Sequence, residues 1–205
     1  MAQIKDNDKD RLIKAFPASL REDAAYVVNI LPPGKTVWSH DGSRQITVQS
    51  LISEDAIQVF LDNEMISLPY RIYMNELNVE VLEQLTIHQQ IILHCIYTRH
   101  FNGHIREASL AKLYGATDGF VIPFIVQLLA DQVLEILIAL QRHVTGHGAN
   151  DYAVFTRNNP KYWQQTQDRM VSYWNAYYRP RYPKIGPYPG KQIAHMINLA
   201  EMLLK

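Results

Sequence analysis

Cysteine is almost absent from this 205-residue chain: Cys95 stands alone, so no internal disulfide framework can form and burial must hold the fold together. The N-terminal MAQIKDNDKDR lacks an apolar run of signal-peptide length, and with the single thiol this predicts a cytoplasmic protein. An excess of charge is missing too. Lys plus Arg and Asp plus Glu each number 20, so no global field announces nucleic acid, an anionic membrane surface or a strongly charged partner. The balance is uneven along the chain, with an acidic excess of four in residues 1–100 and a basic excess of four in residues 101–205.

Fixed-period repeats and low-complexity tracts are lacking, which excludes solenoids and long disordered tails. So are G-x-S-x-G, a Walker loop and G-x-G-x-x-G, and the Pro- and Gly-containing loops lack the strand-then-helix context that a phosphate cradle requires. These absences lean away from an enzyme, and no cofactor is expected.

What is present is a core. At 47% hydrophobic and 20% charged, the chain can bury one, and residues 1–205 are read as a single domain. The most apolar run, residues 120–144, predicts a central helix. At 100° per residue Gln127, Asp131, Glu135, Gln141 and Arg142 share one narrow sector and nearly everything else is apolar. Two carboxylates and two glutamines in the middle of the run (Gln127, Asp131, Gln132 and Glu135) argue against a membrane span. Pro123 is tolerable only in a first turn, so the helix starts between Gly119 and Pro123, capped by Thr117 or Asp118; Gly146 and Gly148 stop it.

Around this run the expected fold is mostly α (α+β), a helical bundle-like core with a small antiparallel element in the N-terminal half. A short helix over residues 8–16 ends at Pro17, and Ser19 with Glu22 forms a capping box opening residues 20–31. Residues 36–38 and 45–48 flank Asp41-Gly42 as a first hairpin, and residues 56–73 form the stronger one around Asp62-Asn63-Glu64, with Pro69 placing its second strand at an edge or bulge. This β element, residues 36–73, packs on helices within 78–145 and 158–205. A short helix covers residues 78–85. Thr86 and Gln89 box the start of a helix to Phe101, Asn102-Gly103 supplies its left-handed end, and residues 105–114 follow. Pro160 opens a helix to about Tyr178. Ile193, Met196, Ile197, Ala200, Leu203 and Leu204 mark an amphipathic final one.

Several clusters carry chemistry. His100-x3-His104 and His143-x3-His147 have the spacing that puts two imidazoles on one helical face for zinc, but Gly103 and Gly146 are expected to interrupt both, so no metal site is assigned. Residues 99–107 gather Arg99, His100, His104, Arg106 and Glu107 at one turn. That corner suits a phosphate or carboxylate in an anion-binding or metal-dependent enzyme, against the plainer picture of a solvated corner with Arg106 and Glu107 facing water. Cys95 lies in an apolar helix interior where burial leaves a thiol inert. Asp131 and Glu135 read as a solvent stripe, or as partners for Arg142 and an arginine of another helix. Residues 169–191 carry five basic and no acidic side chains, interleaved with aromatics. Tyr177, Tyr178, Arg179 and Arg181 there suit a protein interface or single-stranded nucleic acid, while Trp163, Met170 and Trp174 at helical spacing suit a core.

The segments LPYRIY (68–73), YTRHFNGHIRE (97–107) and VSYWNAYYR (171–179) resemble segments of uncharacterised bacterial proteins. The resemblance implies a bacterial cytosolic origin and carries over no functional residue. The reading that combines a missing catalytic constellation with an aromatic and basic surface segment is a protein that works by binding another macromolecule. Protein, or a second copy of the chain, is favoured over nucleic acid; no membrane partner is expected.

Overall fold

The computed structural model describes residues 5–32 and 51–204, together with the backbone of Thr36–Trp38 and Gln45–Thr47. The architecture is mostly helical with small antiparallel hairpins, as the periodicity predicts. Helices α1 (Asp6–Ile13) and α2 (Arg21–Ile30) pack on each other. Strands β1 (Thr36–Trp38) and β2 (Gln45–Thr47) pair antiparallel, Val37 opposite Ile46; the Asp41-Gly42 turn expected between them lies outside the described residues. Strands β3 (Ala56–Leu61) and β4 (Glu64–Pro69) form a separate two-stranded sheet. Asp62 and Asn63 make the turn with φ of 51° and 64°, the doubly left-handed pair that matches the twist of a two-residue hairpin.

Then come α3 (Val79–Leu82), α4 (Ile87–Tyr97) and α5 (Gly103–Lys112), followed by α6 (Ile122–Gln127) and α7 (Leu134–His147). The chain closes with α8 (Asn150–Asn158), α9 (Pro160–Tyr173) and α10 (Pro189–Leu203). Helix α5 lies against α4 and α7, and α10 covers α7 and α8. Phe16 stacks on Phe124 at 5.2 Å and meets Phe120 edge-on at 6.1 Å, tying the end of α1 to the apolar run. Among the described residues no helix is long and apolar enough to cross a membrane.

The largest departure from expectation is in that run. Residues 120–144 are not one helix: α6 tightens into a 3-10 turn at Leu128–Ala130, Asp131 is extended (φ −95°, ψ 149°), and α7 starts afresh at Leu134. No proline or glycine breaks it. Asp131 leaves the helix because its carboxylate is claimed by arginines of other segments, and its Oδ1 accepts the Val133 N–H at 3.0 Å, a local turn that competes with helix. The Tyr178 hydroxyl satisfies the opened backbone, donating to the Gln132 carbonyl at 2.6 Å and accepting from the Leu134 N–H at 3.1 Å. The polar sector is thereby dismantled: Gln127 and Asp131 are buried, Glu135 and Arg142 exposed.

Smaller differences have equally local causes. The Thr86–Gln89 capping box forms, but the one at Ser19 does not, because a 3-10 turn (Ala18–Leu20) precedes α2 and the Ala18 N–H goes to Glu64 Oε1 at 2.7 Å. Asn102 does not end α4 but caps the start of α5, accepting the His104 N–H at 3.0 Å, so Gly103 is helical. Gly146 does not stop α7 either. A Cβ there would stand 2.6 Å from the Tyr114 hydroxyl, so glycine keeps the helix going where a ring packs against it. His143 and His147 therefore do share one continuous helix, their rings stacked at 4.3 Å. Helix α8 has no counterpart in the sequence reading, and on α10 Leu203 is exposed rather than buried.

Candidate functional site

A cleft of about 900 Å³ opens between β3 and α9. Asp55, Ala56, Ile57 and Gln58 form one wall. Positions 161, 165, 169 and 173 of α9, with Tyr162, Thr166, Asp168 and Ser172, form the other, a single face by the i, i+4 rule. Gln127 and Ala130 make the floor, just before the break at Asp131, and Tyr70 closes one end. There the Arg169 guanidinium lies 4.6 Å from the centre of the Tyr70 ring and that of Arg71 lies 5.3 Å away. Burial and then the neighbouring Tyr70 hydroxyl push Tyr173 up to about 12, so its phenol stays protonated.

The strand wall is unusual in its hydrogen bonding. In a two-residue hairpin the closing pair Leu61–Glu64 is bonded, so residues 59 and 57 also face β4, while Phe60, Gln58 and Ala56 turn their backbone groups away from it. Asn159 confirms the parity: its side-chain amide accepts from the Phe60 N–H at 2.6 Å and donates to the Phe60 carbonyl at 2.9 Å, standing where a neighbouring strand would. Beyond it, the outward groups of Gln58 and Ala56 face the cleft, and both residues are exposed. The opposite edge is blocked. The Ser67 N–H is taken by the Lys14 carbonyl at 3.2 Å, and Pro69, at an outward-facing position, has no N–H to offer.

Beneath the floor lies a charged cluster. Arg106 pairs side-on with Asp131, Nε to Oδ2 at 2.8 Å and Nη2 to Oδ1 at 2.9 Å, and its Nη1 donates to the His100 and Phe101 carbonyls. Arg71 adds a looser contact to Asp131 at 3.4 Å. Burial raises the Asp131 carboxyl, but the Arg106 hydrogen bonds and the charges of Arg106 and Arg71 outweigh it and hold the group below the ordinary carboxylate range. Arg99 is different. It is 1% exposed, its Nε reaches only the Thr98 hydroxyl at 3.3 Å, and its Nη2 has no hydrogen-bond partner. Burial, and next the positive charge of Arg71, bring it down to about 9. The Gln127 Oε1 is likewise buried and unpartnered.

The residues singled out from sequence thus part company. Arg99 and Arg106 turn inward under the cleft; these two arginines are not solvated and Arg106 does not pair with Glu107, because Asp131 offers a desolvated carboxylate in bidentate geometry. His100 is buried, its Nδ1 accepting from the Asn102 N–H and its Nε2 meeting the Met74 carbonyl, while His104 is exposed. At the other end, Tyr178 braces the break, Trp174 donates to the Tyr182 carbonyl, and Tyr177, Arg179 and Arg181 are exposed. Trp163 and Met170 are core. Of the basic, aromatic segment, Arg169 and Tyr173 reach the cleft. Among the described residues no three His, Cys, Asp or Glu side chains converge to hold a metal.

Arg71 and Asn159 were missed as parts of this site, whereas Asp131, read as a solvent stripe or as a partner for an arginine of another helix, takes the second role with Arg106. The available signal was a carboxylate inside the most apolar run, which needs a counter-charge from somewhere. Arg106 and Arg71 supply it, and Tyr178 braces the backbone just beyond Asp131. No family model, curated protein or solved structure matches the chain.

Proposed function

We propose that the protein binds another protein, taking an extended segment of its partner into the cleft as an added strand on β3. The observation that carries this reading is the edge of β3. A strand edge with unpaired donors and acceptors is a template for another strand, and folded proteins usually cover or break such edges. Here the Ser67 N–H of β4 is taken, Pro69 has none, Phe60 of β3 is covered by Asn159, and the outward groups of Ala56 and Gln58 face the cleft. Main-chain bonds supply affinity in this mode and side-chain pockets supply selectivity. The open stretch from Ala56 to Gln58 spans about 7 Å at the usual strand rise, so two to three partner residues can pair along it. Ordinary ligand clefts reach about the same volume as this one.

A photo-reactive phenylalanine analogue at Gln165, on the opposite wall, is expected to crosslink a discrete partner in a lysate. Gln58→Pro removes one outward N–H and places a ring on the open edge, a substitution that edge strands tolerate. The adduct is expected to disappear in that variant while the fold persists. Equal labelling with and without Gln58→Pro, or equal labelling from a control position at exposed Met202, would sink the reading.

A further inference from the structure

Side chains alternate along β3, with Val59 buried and Ile57 half-buried while Ala56, Gln58 and Phe60 are exposed. Residues paired across two strands project to the same face. An added strand bonded to the outward groups of Ala56 and Gln58 therefore sends the side chain opposite Ile57 inwards, and its two neighbours out to solvent. One partner side chain is read at the cleft floor.

The group it meets there is the Gln127 amide. Gln127 lines the cleft yet is 4% exposed, and its Oε1 is buried without a hydrogen-bond partner. Its polar neighbours on the α9 wall are committed: the Tyr162 hydroxyl donates to the Pro123 carbonyl at 3.2 Å, and the Thr166 hydroxyl to the Tyr162 carbonyl at 2.9 Å. An amide left unpaired in a buried site is destabilising, and a ligand that pairs with it relieves that cost.

Charge narrows the choice of ligand group. Beneath the floor Arg71, Arg99 and Arg106 face the single carboxylate of Asp131, whereas on the walls Lys161 and Arg169 are balanced by Asp55 and Asp168. The field of Arg71 reaches Tyr173 on the cleft wall. A lysine or arginine directed at this floor meets like charge, and an ionised carboxylate has no proton to give Oε1.

We infer that, on the strand-addition reading, the cleft selects a partner segment whose inward residue is asparagine or glutamine, pairing amide to amide with Gln127. Such a side chain is neutral and carries donor and acceptor side by side, the complement of the Gln127 amide; a hydroxyl offers a single proton. A site built around a buried hydrogen-bonding group strongly rejects the analogue that lacks the complement.

The test presents a phage-displayed library of random heptapeptides to the intact, immobilised chain, and then to its Gln127→Met and Gln58→Pro variants. Gln127→Met removes an unsatisfied buried group at nearly constant volume, so its melting temperature should not fall below that of the wild type. The wild type is expected to enrich peptides with asparagine or glutamine at one position. Synthetic copies should bind it at least about tenfold more tightly than copies with leucine in place of asparagine, or methionine in place of glutamine. In Gln127→Met that preference should vanish or invert. Peptides that lose binding in Gln58→Pro but show no amide preference, or keep one in Gln127→Met, would overturn the role of Gln127 and leave strand addition standing. An amide preference that depends on Gln127 but survives Gln58→Pro would count against strand addition and retain amide recognition at the floor. Enriched peptides indifferent to both variants, or no enrichment over a blank surface, would remove both.

Discussion

Asp131→Asn is expected to destabilise the protein by about 3–5 kcal/mol, the usual consequence of removing one partner from a buried ion pair. The change is nearly isosteric, so the loss isolates charge. It leaves three guanidinium groups beneath the cleft without a counter-charge and turns one of the two acceptor oxygens that Arg106 holds into an amide donor. Denaturant midpoints in phosphate-free buffer measure it. The sign should reverse at Arg99: because that guanidinium has an unpartnered nitrogen in a dry site, Arg99→Met is expected to be neutral or stabilising in the same buffer. A loss below about 1 kcal/mol for Asp131→Asn, the size of an exposed pair, would contradict this picture of the cluster.

The second large effect is a loss of stability in acid. His143 is 2% exposed on α7, neither ring nitrogen has a partner, and burial followed by the nearby His147 lowers it to about 4. A histidine depressed in the folded state binds its proton first in the unfolded chain. Its contribution is therefore undiminished above about pH 6.5 and is lost as the pH falls from 6.5 towards 4. The integrated loss from this one group is on the order of 2–3 kcal/mol. His94, brought to about 4 by burial and then by Lys112, titrates in the same direction. His143→Leu removes two unsatisfied nitrogens without an apolar void. It is expected to flatten the stability profile between pH 7 and pH 4.5, with the variant the more stable of the two at the acid end. Parallel profiles for the two proteins would contradict the assignment.

Much of the fold was legible because the local signals act within a few residues. The hairpin around Asp62-Asn63, the Thr86–Gln89 box, Pro123 in a first turn and Pro160 at a helix start each depend on side chains no more than four positions apart. What was not legible depends on contacts far apart in sequence. Periodicity alone makes residues 120–144 one helix, and it takes Arg106, 25 positions away, to draw Asp131 out of it. In the same way Gly146 looks like a helix stop until Tyr114 is packed against it.

The candidate site divides along the same line. The basic, aromatic C-terminal segment contributes Arg169 and Tyr173 to the cleft lining, but its most eye-catching residues are elsewhere: Tyr178 braces the chain break and Arg179 bonds to Asn175. The residues at 99–107 are ionisable and clustered, as their spacing suggests. Their burial could not be read from one segment, because the counter-charge and Arg71 come from two others. The open edge of β3 is least legible of all. It depends on which backbone groups the turn leaves facing outwards, and on Asn159, 99 residues from Phe60, covering just one of them.

That edge is the centre of the account, and amide hydrogen exchange along β3, followed residue by residue by NMR in the free protein, tests it most directly. The Ile57, Val59 and Leu61 amides, bonded to β4, should exchange slowly; Phe60 should be slow because Asn159 holds it, and should become fast in Asn159→Ala. Gln58 and Ala56 should exchange fast in both proteins. Protection of Gln58 comparable to that of Val59 in the free chain would mean that the edge is already occupied, and the strand-addition account would fail.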